Sequence, residues 1–196
     1  MSYNVTLFGL KFTLSPVAFT IPLGSKHWDI YWYGIIIAAG FLLALIYGLK
    51  KAGRYGLNPD KMLDVILVAT PVAILSARAY YVIFDGEKLD GIKDFFGFGN
   101  SSGFAGLAIY GGVIGAFVSG GIMCYIRKVN ILNMFDVASA GFLICQGIGR
   151  WGNFVNQEAF GSNTTLPWGM YSEATRDYLM GSTVTAQSGV TIDPNL

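Results

Sequence analysis

The 196-residue chain has only two cysteines, Cys124 and Cys145, and one histidine, His27. Both cysteines stand inside apolar runs, so neither a disulfide framework nor a thiolate metal cluster is expected, and both read as helix-packing residues. One imidazole beside Trp28 makes no metal site alone and reads as an interfacial polar group. Charge is also scarce, at 13% of residues, with a formal net charge of +1. There is no basic stripe interleaved with aromatics to follow a phosphate backbone, which sets nucleic acid aside as a partner. The first 25 residues lack the cationic start and unbroken apolar stretch of a signal peptide, so the mature protein is expected to begin near Met1.

What is abundant is apolar surface: 53% of residues are hydrophobic, and the mean hydropathy is +0.50. That balance predicts an all-α polytopic membrane domain. Four stretches meet the length of about 20 apolar residues needed to span a bilayer, namely Ile30–Leu49, Val65–Phe84, Phe104–Ile126 and Val129–Gly149. The first and third carry no charge, the second holds Arg78 and the fourth Asp136. Lys50, Lys51, Arg54 and Lys61 crowd the connection between the first two spans, and Arg127 and Lys128 that between the last two. The Asp85 to Gly103 connection is acidic by contrast, with Asp85, Glu87, Asp90 and Asp94 against Lys88 and Lys93. Basic loops stay cytoplasmic, so both chain ends are expected outside. The expected organisation is a membrane core over residues 1–161, opening with an extracytoplasmic segment 1–29, then an extracytoplasmic Ser/Thr-rich tail over 162–196. Trp28, Tyr31, Trp32 and Tyr33 form an outer aromatic belt.

The fourth span runs into Gly149-Arg-Trp-Gly-Asn-Phe-Val-Asn-Gln-Glu-Ala-Phe-Gly161, which gathers an arginine, two asparagines, a glutamine and a glutamate at a membrane edge. Polar chemistry in such a place is usually functional. If the helix continues, Arg150, Asn153 and Gln157 share one face and Glu158 lies well round from Arg150. A cation with amide donors would then face an anionic group while the carboxylate faces another ligand. At about 1.5 Å per helical residue, Tyr33, Arg78, Tyr110 and Arg150 all fall in the outer half of the bilayer, where they could converge on one cavity. Asp136 lies on the order of 10 Å deeper than Arg78, so no ion pair between them is assumed and Asp136 reads as structural. Arg78 is a functional candidate, with pairing to backbone carbonyls or lipid phosphate as its structural alternative.

Glycines at 106, 111, 112, 115, 120 and 121 in the third span predict close helix approach, with Tyr110 projecting from a tightly packed helix. Gly147-Ile-Gly-Arg-Trp-Gly152 matches the dinucleotide-binding pattern in letters only, since a membrane-length run precedes it and no βαβ unit surrounds it. The sequons at Asn4, Asn100 and Asn163 are of the kind that arise by chance.

The run from Gly149 to Gly161 resembles the signature of the prolipoprotein diacylglyceryl transferases, bacterial membrane enzymes that begin lipoprotein maturation. Tyr31-Trp-Tyr33-Gly, Ile74-Leu-Ser-Ala-Arg78 and Ile109-Tyr110-Gly111-Gly112 support the resemblance in order, so that it covers about Pro16 to Gly161. It implies transfer of a diacylglyceryl group from phosphatidylglycerol to the lipobox cysteine thiol of a prolipoprotein signal peptide, with glycerol phosphate released. The implied setting is the bacterial cytoplasmic membrane, with the active site toward the extracytoplasmic side. No metal or cofactor is implied. Many members carry histidine where this chain has Tyr110; the tyrosine form resembles Gram-positive members, so a histidine base is not required. The family continues with a His-Pro-x-x-x-Tyr-Glu type segment, a further arginine and more spans, so the chain is expected to be a C-terminally incomplete member.

Under that resemblance, Arg150, helped by Asn153 and Arg78, would hold the phosphate leaving group and stabilise its developing charge. The substrate thiol, with a pKa of about 8.5, needs only modest activation. Tyr110 or Glu158 would relay its proton, and the choice stays open. Tyr33 joins the catalytic set, while Asn156 and Gly161 would serve substrate orientation and backbone geometry. The rival readings are a small anion- or lipid-binding transporter and a non-catalytic membrane subunit. A transporter tends to show internal repeats and broken helices in matching halves, and no such repeat is evident.

The loop asymmetry makes a direct prediction. Single cysteines at Lys51 and Gly91, in a background without Cys124 and Cys145, should differ in intact cells, with an impermeant maleimide labelling position 91 and sparing position 51. The reverse pattern would overturn the topology.

Overall fold

A computed structural model of the chain describes residues 2–23, 26–85, 95, 106–161, 164 and 166–181. Strands β1 (Tyr3–Leu7), β2 (Leu10–Leu14), β3 (Val17–Leu23) and β4 (Lys26–Tyr31) precede helices α1 (Trp32–Lys51), α2 (Pro59–Asp85), α3 (Ile109–Arg127) and α4 (Ile131–Asn156). Strand β5 (Met170–Ser172) and helix α5 (Glu173–Gly181) follow. Helices α1 to α4 are each long and apolar enough to cross a membrane, and the chain is a multi-pass, mostly helical membrane protein. Its contacts divide it into two units, one of Met1–Ala44 with Phe142–Leu196 and one of Leu45–Gly141.

The span limits differ from those read off hydropathy, for local reasons. The first helix starts at Trp32 rather than Ile30 because residues through Tyr31 belong to β4. The second starts at Pro59 rather than Val65: Asn58 Oδ1 accepts the backbone N–H groups of Asp60 at 2.9 Å and Lys61 at 3.2 Å, and proline suits the first helical position. The third starts at Ile109 rather than Phe104; Gly106 has a φ of +77°, which ends helical geometry there, and residues 104 and 105 lie outside the described set. The fourth continues past Gly149 to Asn156. Of the acidic Asp85 to Gly103 connection, only Asp85 and Phe95 are described, and the sequons at Asn100 and Asn163 also fall outside.

The unit from Leu45 to Gly141 is organised by small-residue packing. A methyl group on Gly111 would stand 3.0 Å from Ala77 Cα and meet Tyr80 Cβ and Ser76 O; one on Gly115 would stand 3.2 Å from Ala73 Cα. The expected close approach of glycine-bearing α3 is therefore present, against α2. Toward the other end, Ala52, Leu57, Met62, Val65, Cys124, Met134 and Val137 form the buried core. Asn133 Nδ2 donates to Tyr55 O at 2.8 Å, and Arg127 pairs with Asp64. That pair is exposed and contributes little, about 1 kcal/mol or less. Asp136 is exposed.

In the other unit the strands were not anticipated from composition. Phe8 and Gly9, with φ of +52° and +76°, join β1 to β2 through a two-residue turn of the kind that matches strand twist. Strand β5 adds to the free side of β1, pairing Val5 with Ser172, so residues far apart in sequence share one sheet of order β2-β1-β5. Val5 is 1% exposed. Ser172 Oγ accepts the Thr175 N–H at 3.3 Å, capping α5, and Asn4 Nδ2 donates to Glu173 Oε2 at 2.8 Å. On α5, Arg176 donates to Asp177 Oδ1 from Nε at 3.1 Å and Nη2 at 3.0 Å, which raises the guanidinium pKa further. Strands β3 and β4 form a separate hairpin.

The α2–α3 contact predicts opposite outcomes at neighbouring glycines. Gly111→Ala should lower stability in detergent thermal melts by about 1–3 kcal/mol through overpacking. Gly112→Ala, whose methyl would sit 3.6 Å from Ala77 Cβ, should be neutral or slightly stabilising. Equal melting of the two variants would refute this packing.

Candidate functional site

The polar run at the end of α4 is built on close approach to α1 within the same unit. A methyl on Gly149 would stand 3.3 Å from Ile37 Cδ1, and one on Gly152 would stand 2.8 Å from Tyr33 Cδ2. Gly152 is thus a seat for the Tyr33 ring. The N–H of Trp32 donates to Pro16 O at 2.9 Å, tying the start of α1 to the segment before β3. Phe154 has the Phe12 ring of β2 at 6.5 Å and the Trp151 ring at 6.1 Å.

Helix α4 does not continue through the run. Gln157 and Ala159 have φ of +56° and +54°, a left-handed geometry unfavourable for residues other than glycine. The chain turns back, with Gln157 N–H donating to Phe154 O at 3.2 Å and Glu158 N–H to Asn153 O at 3.0 Å. This corrects the expected single face. Gln157 leaves the line of Arg150 and Asn153, is buried at 6% exposure, and donates through Nε2 to Phe154 O.

The turn also brings Glu158 to the amides. Glu158 Oε1 accepts from Asn153 Nδ2 at 3.1 Å and from Asn156 Nδ2 at 3.5 Å. A carboxylate at a helix C-terminus opposes the helix dipole, and these donors offset that opposition while fixing one oxygen. The expectation that the amides accompany Arg150 and the carboxylate stands apart is therefore modified, since Asn153 and Asn156 each spend a hydrogen on Glu158. Arg150 and Glu158 are both exposed. Asn156 Oδ1 and Gln157 Oε1 are buried without a partner among the described residues. Gly161 is exposed, a methyl there would meet nothing within 4 Å, and its φ lies outside the left-handed region.

The other expected residues lie in the unit from Leu45 to Gly141. Arg78 is 2% exposed. Its Nε donates to Phe95 O at 3.1 Å and Nη1 to Gly106 O at 3.3 Å, and its guanidinium carbon lies 5.6 Å from the Tyr81 ring centroid. Bonding to carbonyls was the structural alternative for this residue, and it permits burial of a charge that would otherwise be costly. Tyr81 escaped the sequence reading, and Gly106 was read only as a packing glycine; the spacing of Arg78 and Tyr81, on one helical face at i and i+3, was the available signal. Tyr110 is 69% exposed, with the Tyr80 ring 6.4 Å away. Tyr33 and Arg150 thus belong to one unit, Arg78 and Tyr110 to the other.

The sequence model of the family described as prolipoprotein diacylglyceryl transferase matches residues 16–189. The phosphatidylglycerol--prolipoprotein diacylglyceryl transferase of Clostridioides difficile (strain 630) is 41% identical over 146 residues, which are 72% of this chain and 56% of that protein. The protein named phosphatidylglycerol--prolipoprotein diacylglyceryl transferase 1 in Clostridium perfringens (strain 13 / Type A) is 45% identical over 152 residues, 78% of this chain and 55% of that protein. The transferase of Streptococcus sanguinis (strain SK36) is 44% identical over 153 residues, 76% and 56% of the two chains. The chain spans about half the length of the curated relatives it matches.

The seat of Tyr33 on Gly152 predicts a coupled pair. Gly152→Ala should destabilise the protein by about 1–3 kcal/mol, as overpacking does, and much less in a Tyr33→Ala background. Thermal melts of the four proteins in this cycle measure the coupling; additive effects would mean that ring and glycine are energetically independent.

Proposed function

The chain belongs to the prolipoprotein diacylglyceryl transferase family, and from that premise we propose that it transfers the diacylglyceryl group of phosphatidylglycerol to the lipobox cysteine of a prolipoprotein signal peptide. The sulfur attacks the glycerol carbon that bears the phosphate. A carbon–sulfur bond forms and the carbon–oxygen bond breaks. The electron pair leaves on the phosphate oxygen as glycerol phosphate, and the thiol proton passes to a base. We propose as the setting a bacterial cytoplasmic membrane, with the site toward the extracytoplasmic side.

The observation that carries this reading is the end of α4, where an exposed arginine and an exposed, amide-held carboxylate occupy one helical terminus. Arg150 would grip the phosphate with its planar fork and stabilise charge on the leaving oxygens. Asn153 Nδ2 retains a second hydrogen beyond the one given to Glu158 and can direct it at the lipid headgroup. Glu158 is favoured over Tyr110 as the proton acceptor, because two amide donors hold its Oε1 in place and leave Oε2 open to the thiol. Tyr110 is retained as the alternative relay and Tyr33 as an orienting phenol beside Gly152. Asn156 would help set the carboxylate against the substrate and Gly161 would follow as part of the substrate-binding run. Arg78, committed to carbonyls, would contribute positive charge to lipid binding rather than a free fork. Activation of a thiol and electrostatic stabilisation of a phosphate leaving group ask for no metal.

Transfer measured with phosphatidylglycerol vesicles and a lipobox peptide tests the reading. Arg150→Lys keeps the charge but loses the bidentate geometry, and should lower turnover on the order of 100-fold or more, as loss of a transition-state donor does, at similar protein level. Wild-type turnover by the lysine variant would remove Arg150 from the phosphate site. No transfer by the wild-type chain, with retained lipid binding, would favour the non-catalytic reading.

A further inference from the structure

The hairpin of β3 and β4 carries a segregation of side chains that the transfer chemistry does not use. Its register pairs Phe19 with Ile30 and Ile21 with Trp28, and between them Thr20 with Asp29 and Pro22 with His27. Directly paired residues point to the same face of a sheet and successive residues to opposite faces. One face therefore presents Phe19, Ile21, Trp28 and Ile30. The other presents Thr20, Pro22, His27 and Asp29, with Thr20 Oγ1 donating to Asp29 Oδ1 at 2.6 Å. The apolar face is open: Phe19 is 54% exposed, Ile21 39% and Trp28 63%.

We propose that this hairpin lies on the membrane, with the Phe19, Ile21 and Trp28 face in the boundary between lipid headgroups and acyl chains and the Thr20 and Asp29 face toward water. Three observations select a lipid surface over water or a protein partner. A two-stranded hairpin is marginal by itself in water, and among the described residues its sheet contains no third strand. Strand β4 runs without a break into α1, a helix apolar enough to span a bilayer. A strand rises about 3.3 Å per residue, so Trp28 is held within about 13 Å of Trp32, and the patch cannot leave the neighbourhood of the lipid surface. The composition also fits that depth. Tryptophan is favoured where apolar and wet environments meet, and Tyr31 and Trp32 continue the aromatic series with 51% and 45% exposure; by register the next pair along this face, at the hairpin tip, is Leu23 with Lys26. The inference rests on the membrane placement of α1 and stands or falls apart from the transfer activity.

Nitroxide labels placed singly at positions 19, 20, 21, 28 and 29, in the whole chain lacking Cys124 and Cys145 and reconstituted in phosphatidylglycerol–phosphatidylcholine vesicles, read the surface directly. Positions 19, 21 and 28 should be severalfold more accessible to molecular oxygen than to an aqueous nickel complex, and positions 20 and 29 the reverse. Nickel access at all five would place the hairpin in water. Low access of both reagents at 19, 21 and 28 would mean that protein, a second copy or another segment, covers the face; either result overturns the proposal. Fluorescence of Trp28 with the other tryptophans replaced by phenylalanine checks this without a label. Quenching by brominated lipid and not by iodide is expected; quenching by iodide, or by neither, counts against the proposal.

Discussion

In hydrocarbon a backbone N–H or C=O without a partner costs several kcal/mol, and the structure turns on where that requirement is met by helices and where helices end. Inside α1 to α4 the ladder meets it. At the termini it must be met otherwise, and those are the places where polar side chains gather. Asn58 receives two N–H groups at the start of α2 and Asn130 receives the Asn133 N–H at 3.1 Å near the start of α4. Lys128, in left-handed geometry, closes α3 onto the carbonyls of Cys124 and Tyr125. Arg78 also supplies donors to carbonyls, those of Phe95 and Gly106, the latter outside regular helix. The end of α4 follows the pattern too, but its polar groups exceed what termination requires.

That surplus marks the run as a candidate site rather than a cap alone. Closing a helix takes backbone bonds to the last carbonyls, and Gln157 and Glu158 supply them. The side chains of Asn153, Asn156 and Glu158 then bond to one another, which contributes little to helix closure but orients a carboxylate. Two features oppose stability here: left-handed φ at Gln157 and Ala159 and acceptors on Asn156 and Gln157 that have no partner among the described residues. Each costs on the order of 1–3 kcal/mol. Phe8 and Lys128 also adopt left-handed φ, but in the run that carries the family signature such geometry coincides with unmet polarity, which is consistent with geometry kept for chemistry.

Legibility followed the physics of each element. Long apolar runs identified four helices because hydropathy over about 20 residues is what a bilayer selects. Their ends shifted because capping by Asn58 or a glycine at φ +77° is a matter of single residues, to which a windowed average is blind. The glycines of α3 were legible as packing residues, and the contact with Ala73 and Ser76 bears this out. The strands were not, since β1 acquires its partner β5 from the far end of the chain. At the site, Arg150 and Glu158 stood out by type. The pairing of Asn153 and Asn156 with Glu158 did not, because a helical projection assumes that the helix goes on, and here it stops between residues 156 and 157.

The stop itself has a physical role in the arrangement. Were α4 continuous, each residue would turn by about 100° and rise about 1.5 Å, so Glu158 would stand about 80° round from Arg150, about 12 Å further along the axis, and about 140° round from Asn153, out of reach of its amide. Left-handed geometry at Gln157 reverses the chain, and the Glu158 N–H reaches back to Asn153 O. The carboxylate is thereby returned to the last helical turn, where amides at 153 and 156, spaced i and i+3 on one face, can both reach a single oxygen. Glycine at 157 would adopt this geometry more readily, so retention of an amide side chain there gives the buried Nε2 its bond to Phe154 O at the expense of backbone comfort. The site is thus positioned by ending the helix one residue before the carboxylate's return, with Gly152 keeping the preceding turn close enough to α1 to seat Tyr33.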